Sequence, residues 1–377
     1  MSTKRAVVIL LLVALLGHAC KAQTSEEVDG VDATEIVLSL PKISAANGAF
    51  SVFSPKTLES KRIASSLRQV TLKKGEWLEF TQEDGHQPNA DWLKALAEVA
   101  SRLWTVVFTN LTDDDALHAE KLVELRRFAV TLDPSAKATG LAVLSKLPKL
   151  NFVALELQDA QVQTALKHTV AVKTLSALLL RLGDKVSVDV LDALKDHPSL
   201  SAMMLSNWKG LTDAGLAKLA KIPKLTGLDV QGCTKITGEG LAAFKGSQLD
   251  KLNLNWCERV GDAGAKHIAT MTKLVDLRLG GAGLTDAGLK ALAPLEKLEF
   301  LELGNSFDIT DAGIKEVAAF KNLRMLGLAG LDITDECMET LKSLSKLELL
   351  NVASTKLSKN GIAALKKALP KTRIRDR

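Results

Sequence analysis

The chain has 377 residues, 46% of them hydrophobic and only 4% aromatic, so it can bury a long core filled mainly by aliphatic side chains. Its formal net charge is +5, and removing three bases that lie in a predicted leader leaves about +2. This balance lacks the concentrated basic charge of a nucleic-acid-binding surface, so we expect no nucleic-acid partner.

The first 22 residues have the layout of a secretory signal peptide. Lys4 and Arg5 precede an apolar run over residues 6–16, and small residues follow. The run is too short to span a bilayer, and no other segment is long and apolar enough to do so. Cleavage after Ala22 or Ala19 therefore predicts a secreted protein, or one of the periplasm or cell envelope, without a transmembrane span.

Cys20 is an alternative N-terminus of the mature chain, because bacterial lipoproteins have a lipidated cysteine directly after the signal peptide. Gly17, however, stands where such motifs usually have Leu. Residues 23–66 are predicted to be an acidic spacer and N-terminal cap, since residues 23–35 contain five acids and no base.

Regular spacing dominates the rest of the chain. Ten segments begin 24 or 25 residues apart, at Leu125, Leu150, Leu175, Leu200, Leu225, Leu249, Leu274, Leu298, Leu323 and Leu347. A fixed period in this range indicates stacked repeats that share one elongated core. We place the repeat domain at residues 67–369, clear from 125 onward, with a further strand suggested by residues 67–72.

Each repeat has two halves. The first half alternates apolar and polar residues, which predicts a short strand with one buried face. The second half spaces Leu or Ile three apart, as in a helix with one buried stripe. Thr-Asp pairs such as Thr310-Asp311 stand at the predicted helix start, where Thr caps and Asp favours the helix dipole. A glycine follows two residues later, and we expect a side chain there to collide with the neighbouring repeat.

The consensus L-x-x-L-x-L-x-x-C-x-x-I-T-D-x-G-L resembles the leucine-rich repeat family, specifically its cysteine-containing subtype. The resemblance implies an α/β horseshoe-shaped solenoid with a parallel β-sheet on the concave face and α-helices on the convex face. Repeats of this type behind a signal peptide also resemble bacterial members of the family.

Residues with metal-binding or catalytic potential follow the repeat pattern instead of forming a site. The histidines lack metal-ligand spacing, and we interpret them as helix-surface residues. Residues 113–115 are three consecutive aspartates in the register of a helix start, without the alternating oxygens of a calcium loop. Residues 280–283 are glycine-rich but lack the Lys and Ser/Thr of a phosphate loop. We therefore predict no enzyme, no metal and no cofactor.

Cys233 and Cys257 occupy equivalent positions in adjacent repeats, within disulfide range of each other. Side chains at equivalent positions run parallel instead of converging, so we favour free, buried thiols over a disulfide.

The polar positions between the strand leucines form the candidate binding surface. They fall into two columns across the sheet, and the candidates for partner binding are Asp229, Asn253, Asn255, Trp256, Arg278 and Glu302. The corresponding upstream positions, Ala129, Ala154, Leu179 and Met204, are apolar. Aromatic and arginine residues are favoured anchors of interfaces, although strand positions facing solvent are also polar for no functional reason. Residues 370–377 are predicted to be a basic, solubilising tail.

Three functions remain open from the sequence. The first is a non-enzymatic scaffold that binds a protein, or a glycan, on its concave face. The second is a substrate adaptor of a ubiquitin ligase, because the repeats resemble those of F-box proteins and Leu40-Pro41 with Phe50 and Phe53 faintly resembles an F-box start. The third is an enzyme with its site within residues 23–102, where Trp77, His86 and Trp92 lie.

Overall fold

The computed structural model describes residues 35–39, 48–54, 59–62, 69–73, 77–82 and 96–376. They form two compact units: the first contains the described chain up to 182 with 197–200, and the second contains 183–196 and the chain from 201 onward. The predicted leader, with Cys20, and the residues Leu40-Pro41, His86 and Trp92 lie outside the described residues.

The first unit contains nine strands and two α-helices among its described residues. The strands are β1 (Glu35–Ser39), β2 (Gly48–Ser54), β3 (Glu59–Arg62), β4 (Gln69–Lys73), β5 (Trp77–Gln82), β6 (Leu103–Leu111), β7 (Arg127–Leu132), β8 (Phe152–Glu156) and β9 (Ala177–Arg181). The α-helices are α1 (Asp113–Leu117) and α2 (Val162–Thr169), and 3-10 turns cover Ala97–Arg102, His118–Lys121, Thr139–Lys146 and Asp159–Gln161.

The N-terminal boundary of the repeats differs from the prediction. Strands β5 to β9 are parallel neighbours. Strand β4, which contains most of the segment 67–72, instead pairs antiparallel with β1, so it is a strand but not a repeat strand. Strands β2 and β3 continue the sheet beyond β5 in antiparallel pairing. The predicted acidic spacer therefore contributes three strands, because β1, β2 and β3 all lie within residues 23–66.

The second unit stacks one short strand and one helical segment in each repeat. Its strands are β10 (Ala202–Met204), β11 (Gly227–Asp229), β12 (Lys251–Asn253), β13 (Asp276–Arg278), β14 (Phe300–Glu302), β15 (Met325–Gly327), β16 (Leu349–Asn351) and β17 (Arg373–Arg375). Its α-helices are α3 (Asp213–Leu219), α4 (Gly261–Ile268), α5 (Asp286–Ala291), α6 (Asp311–Glu316), α7 (Met338–Ser343) and α8 (Lys359–Ala368). In addition, 3-10 turns cover Val188–Leu194, Glu239–Phe244, Val317–Ala319 and Asp335–Cys337.

All neighbouring strands of the second unit pair in parallel and in register. Leu228, Leu252 and Leu277 stand opposite one another and are almost fully buried, which places the repeat core behind the strands. The predicted α/β fold with parallel strands is confirmed. The basic end of the chain is not a simple tail, because Arg373–Arg375 forms the last strand of this sheet.

A carboxylate at each helix start links one repeat to the next. Asp286, the first residue of α5, accepts hydrogen bonds from the backbone N–H and the hydroxyl of Thr310 in the following repeat. The same pair of bonds joins Asp213 to Thr237, Asp262 to Thr285, Asp311 to Thr334 and Asp335 to Ser358. The helix-start aspartate thus bonds the neighbouring repeat in addition to favouring its own helix dipole.

In four repeats the glycine at the helix start makes room for this carboxylate. A methyl group added to Gly313 would overlap the carboxylate of Asp286, and the same holds for Gly240, Gly288 and Gly361 against the preceding repeat's aspartate. The predicted collision with the neighbouring repeat is confirmed. Cys337 replaces this glycine in one repeat, where the helical segment begins with a 3-10 turn and the thiol donates to the carbonyl of Thr334.

Candidate partner-binding face

The strands of the two units differ in how their outward positions are buried. In β7, β8 and β9 four consecutive residues are buried, so both faces of these strands are covered. In β11 to β14 only the central leucine is buried and its two neighbours are half-buried. The upstream apolar positions Ala129, Ala154 and Leu179 are therefore covered core residues. Of the strands compared, those with an open face are β11 to β14 of the second unit.

The register of the second unit aligns the predicted binding residues. Asp229, Asn253, Arg278, Glu302, Gly327 and Asn351 stand opposite one another on successive strands, and we call this set the polar column. Two residues earlier on each strand, a second set is aligned in the same way. This Phe300 column consists of Lys251, Asp276, Phe300, Met325 and Leu349. The sequence did not single out this column, although the alternation of outward and buried residues around each leucine assigns it to the same face.

Hydrogen bonds fix the first part of the polar column. The Asp229 carboxylate accepts from the hydroxyl of Ser206, the backbone N–H of Gln231 and the side-chain amide of Asn253 at 2.8–3.0 Å. Asn253 in turn accepts from the backbone N–H of Asn255 at 3.1 Å. The Asn255 side chain accepts from the N–H of Gly280 at 2.8 Å, so it supports the next strand. These hydrogen bonds hold the side chains of Asp229, Asn253 and Asn255 in fixed positions on the face.

Arg278 is held in place by its own strand and the next one. Its Nε and Nη2 donate to the two carboxylate oxygens of Asp276 at 3.1 and 3.0 Å. The guanidinium carbon lies 4.6 Å from the centroid of the Phe300 ring, a cation–π distance. Burial alone would lower the pKa of Arg278, but the bonds to Asp276 and the nearby charges of Asp229 and Glu302 outweigh it, and its pKa is raised.

Glu302 stands between Arg278 on one neighbouring strand and Gly327, which has no side chain, on the other. One carboxylate oxygen accepts from the N–H of Gly304 at 2.7 Å. A methyl group on Gly327, the next residue of the polar column, would overlap the Glu302 carboxylate. Burial raises the pKa of Glu302, and this effect exceeds the lowering by the Gly304 hydrogen bond and the Arg278 charge.

Trp256 is the exposed aromatic residue of this face, with 46% of its surface accessible. Its backbone is left-handed, with φ at 61°, and the equivalent positions in the neighbouring repeats are also left-handed but hold Asn207, Gly232, Gly281 and Asn305. Asparagine and glycine tolerate this conformation, whereas a bulky residue is an outlier there and such strain is common at functional sites. The indole lies over Gly281, where an added methyl group would come within 2.6–2.9 Å of its six-membered ring.

The face as a whole brings together all six predicted binding residues. Three carboxylates, Asp229, Asp276 and Glu302, outnumber the two basic groups, Lys251 and Arg278, so the centre of the face is weakly acidic. Trp208, interpreted as a core residue, is 1% exposed and donates to the carbonyl of Gly183. Phe307, which the sequence did not single out, is 70% exposed in the turn after β14.

The other residues considered for chemistry make contacts that stabilise the fold. Cys233 and Cys257 are free and buried, each thiol donates to a backbone carbonyl at 3.2 Å, and burial raises both pKa values to about 12. Asp113 accepts from the backbone of residues 137 and 140, and Asp115 bonds Thr112 in the cap of α1. Across the described chain, no group of His, Cys, Asp and Glu has a metal-binding arrangement.

His197 is buried, so the prediction that the histidines lie on helix surfaces is wrong for this residue. It is 4% exposed, and its Nδ1 accepts from the N–H of Leu200 at 3.1 Å. Its Nε2 lies 3.1 Å from the carbonyl of Val172, which assigns the proton to Nε2. Sequence reasoning missed this role because a lone histidine near a loop carries no periodic signal.

A family model described as "Leucine Rich repeat" matches residues 221–245, 249–269 and 270–293, which contain β11, β12 and β13 and the helical segment that follows each strand. The matched segments within residues 221–293 are leucine-rich repeats. The matched repeats contain Asn253, Trp256 and Arg278, so the candidate face lies on recognised leucine-rich repeats. None of the helices in the described ranges is both long and apolar enough to cross a membrane.

Several solved structures are similar to this chain. An internalin (inlF) from Listeria monocytogenes is 16% identical, with a TM-score of 0.41, over 77% of this chain and 71% of the other. A leucine-rich repeat protein from Leptospira interrogans is 16% identical, with a TM-score of 0.40, over 74% and 80%. The complex of Rad7 and Elc1 in yeast matches at 17% identity and a TM-score of 0.48 over 79% and 80%.

Proposed function

We propose that this leucine-rich repeat protein is a non-enzymatic scaffold that binds a protein partner on the open strand face of its second unit. A leucine-rich repeat fold supports a protein-binding scaffold, because stacked repeats offer a broad, rigid surface. Rigid surfaces lose little conformational entropy on binding. The polar column and the Phe300 column supply that surface, with Trp256 at its side.

One observation carries the proposal: the strand face is covered on β7 to β9 and open on β11 to β14. The open part is also where Trp256, Arg278 and Glu302 lie. Tryptophan and arginine are enriched among residues that dominate binding energy. A glycan could stack on the same indole, and it is the alternative ligand for this face.

We further propose that the protein acts outside the cytoplasm, as a secreted or cell-envelope component of a bacterium. The signal-peptide layout of residues 1–22 supports this location, and a lipid on Cys20 would tether the chain to a membrane. Determining the mass of the mature N-terminus separates cleavage at Ala19 or Ala22 from lipidation of Cys20.

The two alternative functions gain no support from the described residues. Phe50 and Phe53 lie on strand β2, whereas the F-box pattern that they resemble is helical. Trp77 packs against Trp104 with ring centroids 5.0 Å apart and is 3% exposed, so it does not line an open site.

The proposal is tested by affinity capture from the native host. The bait is the chain itself, compared with a double variant that carries Trp256→Asn and Arg278→Ala. Asparagine is chosen because Asn207 and Asn305 already adopt the left-handed backbone of position 256. The matched control carries Lys290→Ala and Lys315→Ala, two exposed changes on α5 and α6. We expect the face variant to lose its partner and the control to retain it, and equal capture by both would contradict the proposal.

A further inference from the structure

The Phe300 column leads to two exposed arginines. Its apolar members are half-buried and stand opposite one another on β14, β15 and β16: Phe300, Met325 and Leu349. Arg373 on β17 stands opposite the last of them and continues this column. Arg375, two residues later, continues the polar column in the same way. Exposure alternates along β17, with Ile374 half-buried between the two arginines, so both arginine side chains lie on the face of the two columns.

These two guanidinium groups keep their positive charge. No ion pair of the described chain involves Arg373 or Arg375. The acids that flank β16 and β17 in the sequence are bound to other bases at 2.7 and 2.8 Å: Glu348 to Arg324, and Asp376 to Lys366. Both arginines are therefore available to a carboxylate from outside the chain, and arginine binds carboxylates through charge-assisted hydrogen bonds.

The other end of the face has a different charge. Arg278, which contacts Phe300, is bound at two points to Asp276 and is thereby neutralised. The carboxylates of Asp229 and Glu302 lie on β11 and β14. An acidic segment of a partner would be repelled there and attracted at β17. Charge complementarity therefore fixes the direction in which such a segment can lie across the strands.

Charged side chains on an edge strand have a simpler role, which is to keep further strands from pairing there. Strand β17 is such an edge, because it is the last strand of the sheet. That role requires the arginines but not the apolar residues beside them. On β12 and β13 the same column holds the charged residues Lys251 and Asp276, whereas on β14 to β16 it is apolar although it faces outward. An apolar patch bordered by charges is typical of an interaction site.

An extended segment with apolar residues followed by acids has the dimensions of this surface. Neighbouring strands lie about 4.8 Å apart, so the three apolar members span about 10 Å and Arg373 lies about 5 Å beyond them. Along an extended chain, side chains on one side recur about every 6.8 Å. Two apolar side chains at positions i and i+2 therefore cover the apolar members, and an acid at i+4 reaches the arginines.

We propose that the protein partner lays an extended segment across β14 to β17, with two apolar side chains on the apolar members of the Phe300 column and a following Asp or Glu on Arg373 and Arg375. This inference rests on the proposed function, because it specifies which kind of segment the partner presents to the face. The apolar members supply the contact area, and the two arginines determine specificity for an acidic segment and its direction.

The test titrates the full chain with short synthetic peptides. The acidic probe is acetyl-Leu-Ser-Leu-Ser-Glu-Glu-amide. Two control peptides each lack one half of its chemistry: acetyl-Leu-Ser-Leu-Ser-Gln-Gln-amide has no charge, and acetyl-Ser-Ser-Ser-Ser-Glu-Glu-amide has no apolar side chain. The methionine methyl groups of the protein are isotope-labelled for NMR, and the Met325 signal is identified among the six methionines by its loss in Met325→Leu.

We expect a saturable shift of the Met325 signal with the acidic probe and weaker binding of both control peptides. The double variant Arg373→Gln, Arg375→Gln should weaken binding of the acidic probe about fivefold, as expected for the loss of two exposed ion pairs. It should leave binding of the uncharged peptide unchanged. The matched control, Lys290→Gln with Lys315→Gln on α5 and α6, removes two charges outside the face and should bind the acidic probe as the unaltered chain does.

The inference is overturned if the acidic probe gives no shift, if either control peptide binds as tightly as the acidic probe, or if the arginine-to-glutamine variant binds it undiminished. Circular dichroism and urea unfolding establish that this variant is folded. Vesicles of phosphatidylglycerol that bind the chain through the two arginines, when no peptide does, would assign them to a lipid surface instead.

The capture experiment separates this inference from the proposed function. If the acidic probe fails while Trp256→Asn with Arg278→Ala still loses a captured partner, the inference fails and the proposed function stands. If no capture depends on the face at all, the proposed function itself fails.

Discussion

Asp286 receives both the backbone N–H and the hydroxyl of Thr310, at 2.8 and 2.7 Å, so one carboxylate caps the next repeat's helix while starting its own. Replacing Asp286 by Ala should lower the free energy of unfolding by about 1–2 kcal/mol, the usual cost of losing a cap. Asp308→Ala, an exposed change in the same region, should alter it by less than about 0.5 kcal/mol. Urea unfolding of the three proteins measures both values.

Gly313→Ala tests the close contact between the Gly313 backbone and the Asp286 carboxylate. Alanine normally stabilises a helix by about 1 kcal/mol relative to glycine. Here we expect the opposite sign, because the new methyl group would overlap the Asp286 carboxylate. The penalty should shrink when Asp286 is Ala as well, which a double-mutant cycle detects as coupling. Simple additivity, or a stabilising Gly313→Ala, would show that the two repeats are not in this contact.

Leu252→Asp tests the strand register. Leu252 is 1% exposed, opposite Leu228 and Leu277, so the change buries an unpaired charge and should destabilise the second unit by several kcal/mol. The control is Leu349→Asp, the same chemical change at a half-buried outward position of β16, which should cost much less stability. Circular dichroism during thermal unfolding distinguishes them, and equal melting temperatures would mean that the register is wrong.

His197 should make the first unit sensitive to mild acid. Burial lowers its pKa, ahead of the raising effect of the Val172 hydrogen bond, so the unfolded chain takes up its proton first as the pH falls. The contribution of His197 to the free energy of unfolding is fully present above the ordinary histidine pKa of about 6.5. It is lost as the pH falls from there towards the lower pKa of His197 in the folded protein. Urea midpoints between pH 7.5 and 5 should fall more steeply in the unaltered chain than in His197→Gln. His267→Gln, on the half-exposed side of α4, should keep the steep fall.

The three described cysteines should be inert in the folded protein. Cys233, Cys257 and Cys337 are buried, and burial raises each pKa to about 12, so almost no thiolate exists at pH 8. Ellman's reagent should react with none of them until urea unfolds the chain, after which all three respond. A Cys20→Ser variant removes the fourth cysteine from the count. Rapid native reaction, or fewer than three thiols after unfolding, would contradict this assignment.

Much of the fold could be predicted from the sequence because every repeat has the same leucine spacing and most have the same residues at the helix start. The leucine spacing predicted strands such as Lys251–Asn253, and the Thr-Asp pairs predicted helix starts at Asp286 and Asp311. The antiparallel strands before Trp77 were not predicted, since they lack the repeat period. The final strand Arg373–Arg375 was missed because its exposed arginines resemble a solvated tail.

The candidate site was predictable in its composition but not in its internal contacts. The alternation of apolar and polar residues along the strands assigned Arg278 and Glu302 to one column. The strand register places them opposite each other. Which cation pairs with which carboxylate depends on side-chain conformation, so the pairing of Arg278 with Asp276 required the structure. The left-handed backbone of Trp256 could not be predicted from the sequence either, because the residues that usually indicate this conformation are glycine and asparagine.

If a protein partner covers the open strand face of the second unit, the outward side chains of that face become inaccessible to solvent in the complex. Hydroxyl-radical footprinting, with and without the captured partner, tests it most directly. We expect Trp256, Phe300 and Met325 to become protected, while Leu117 and Val123, exposed apolar residues of the first unit, react as before. Protection of Leu117 and Val123 with Trp256 still fully reactive would contradict it.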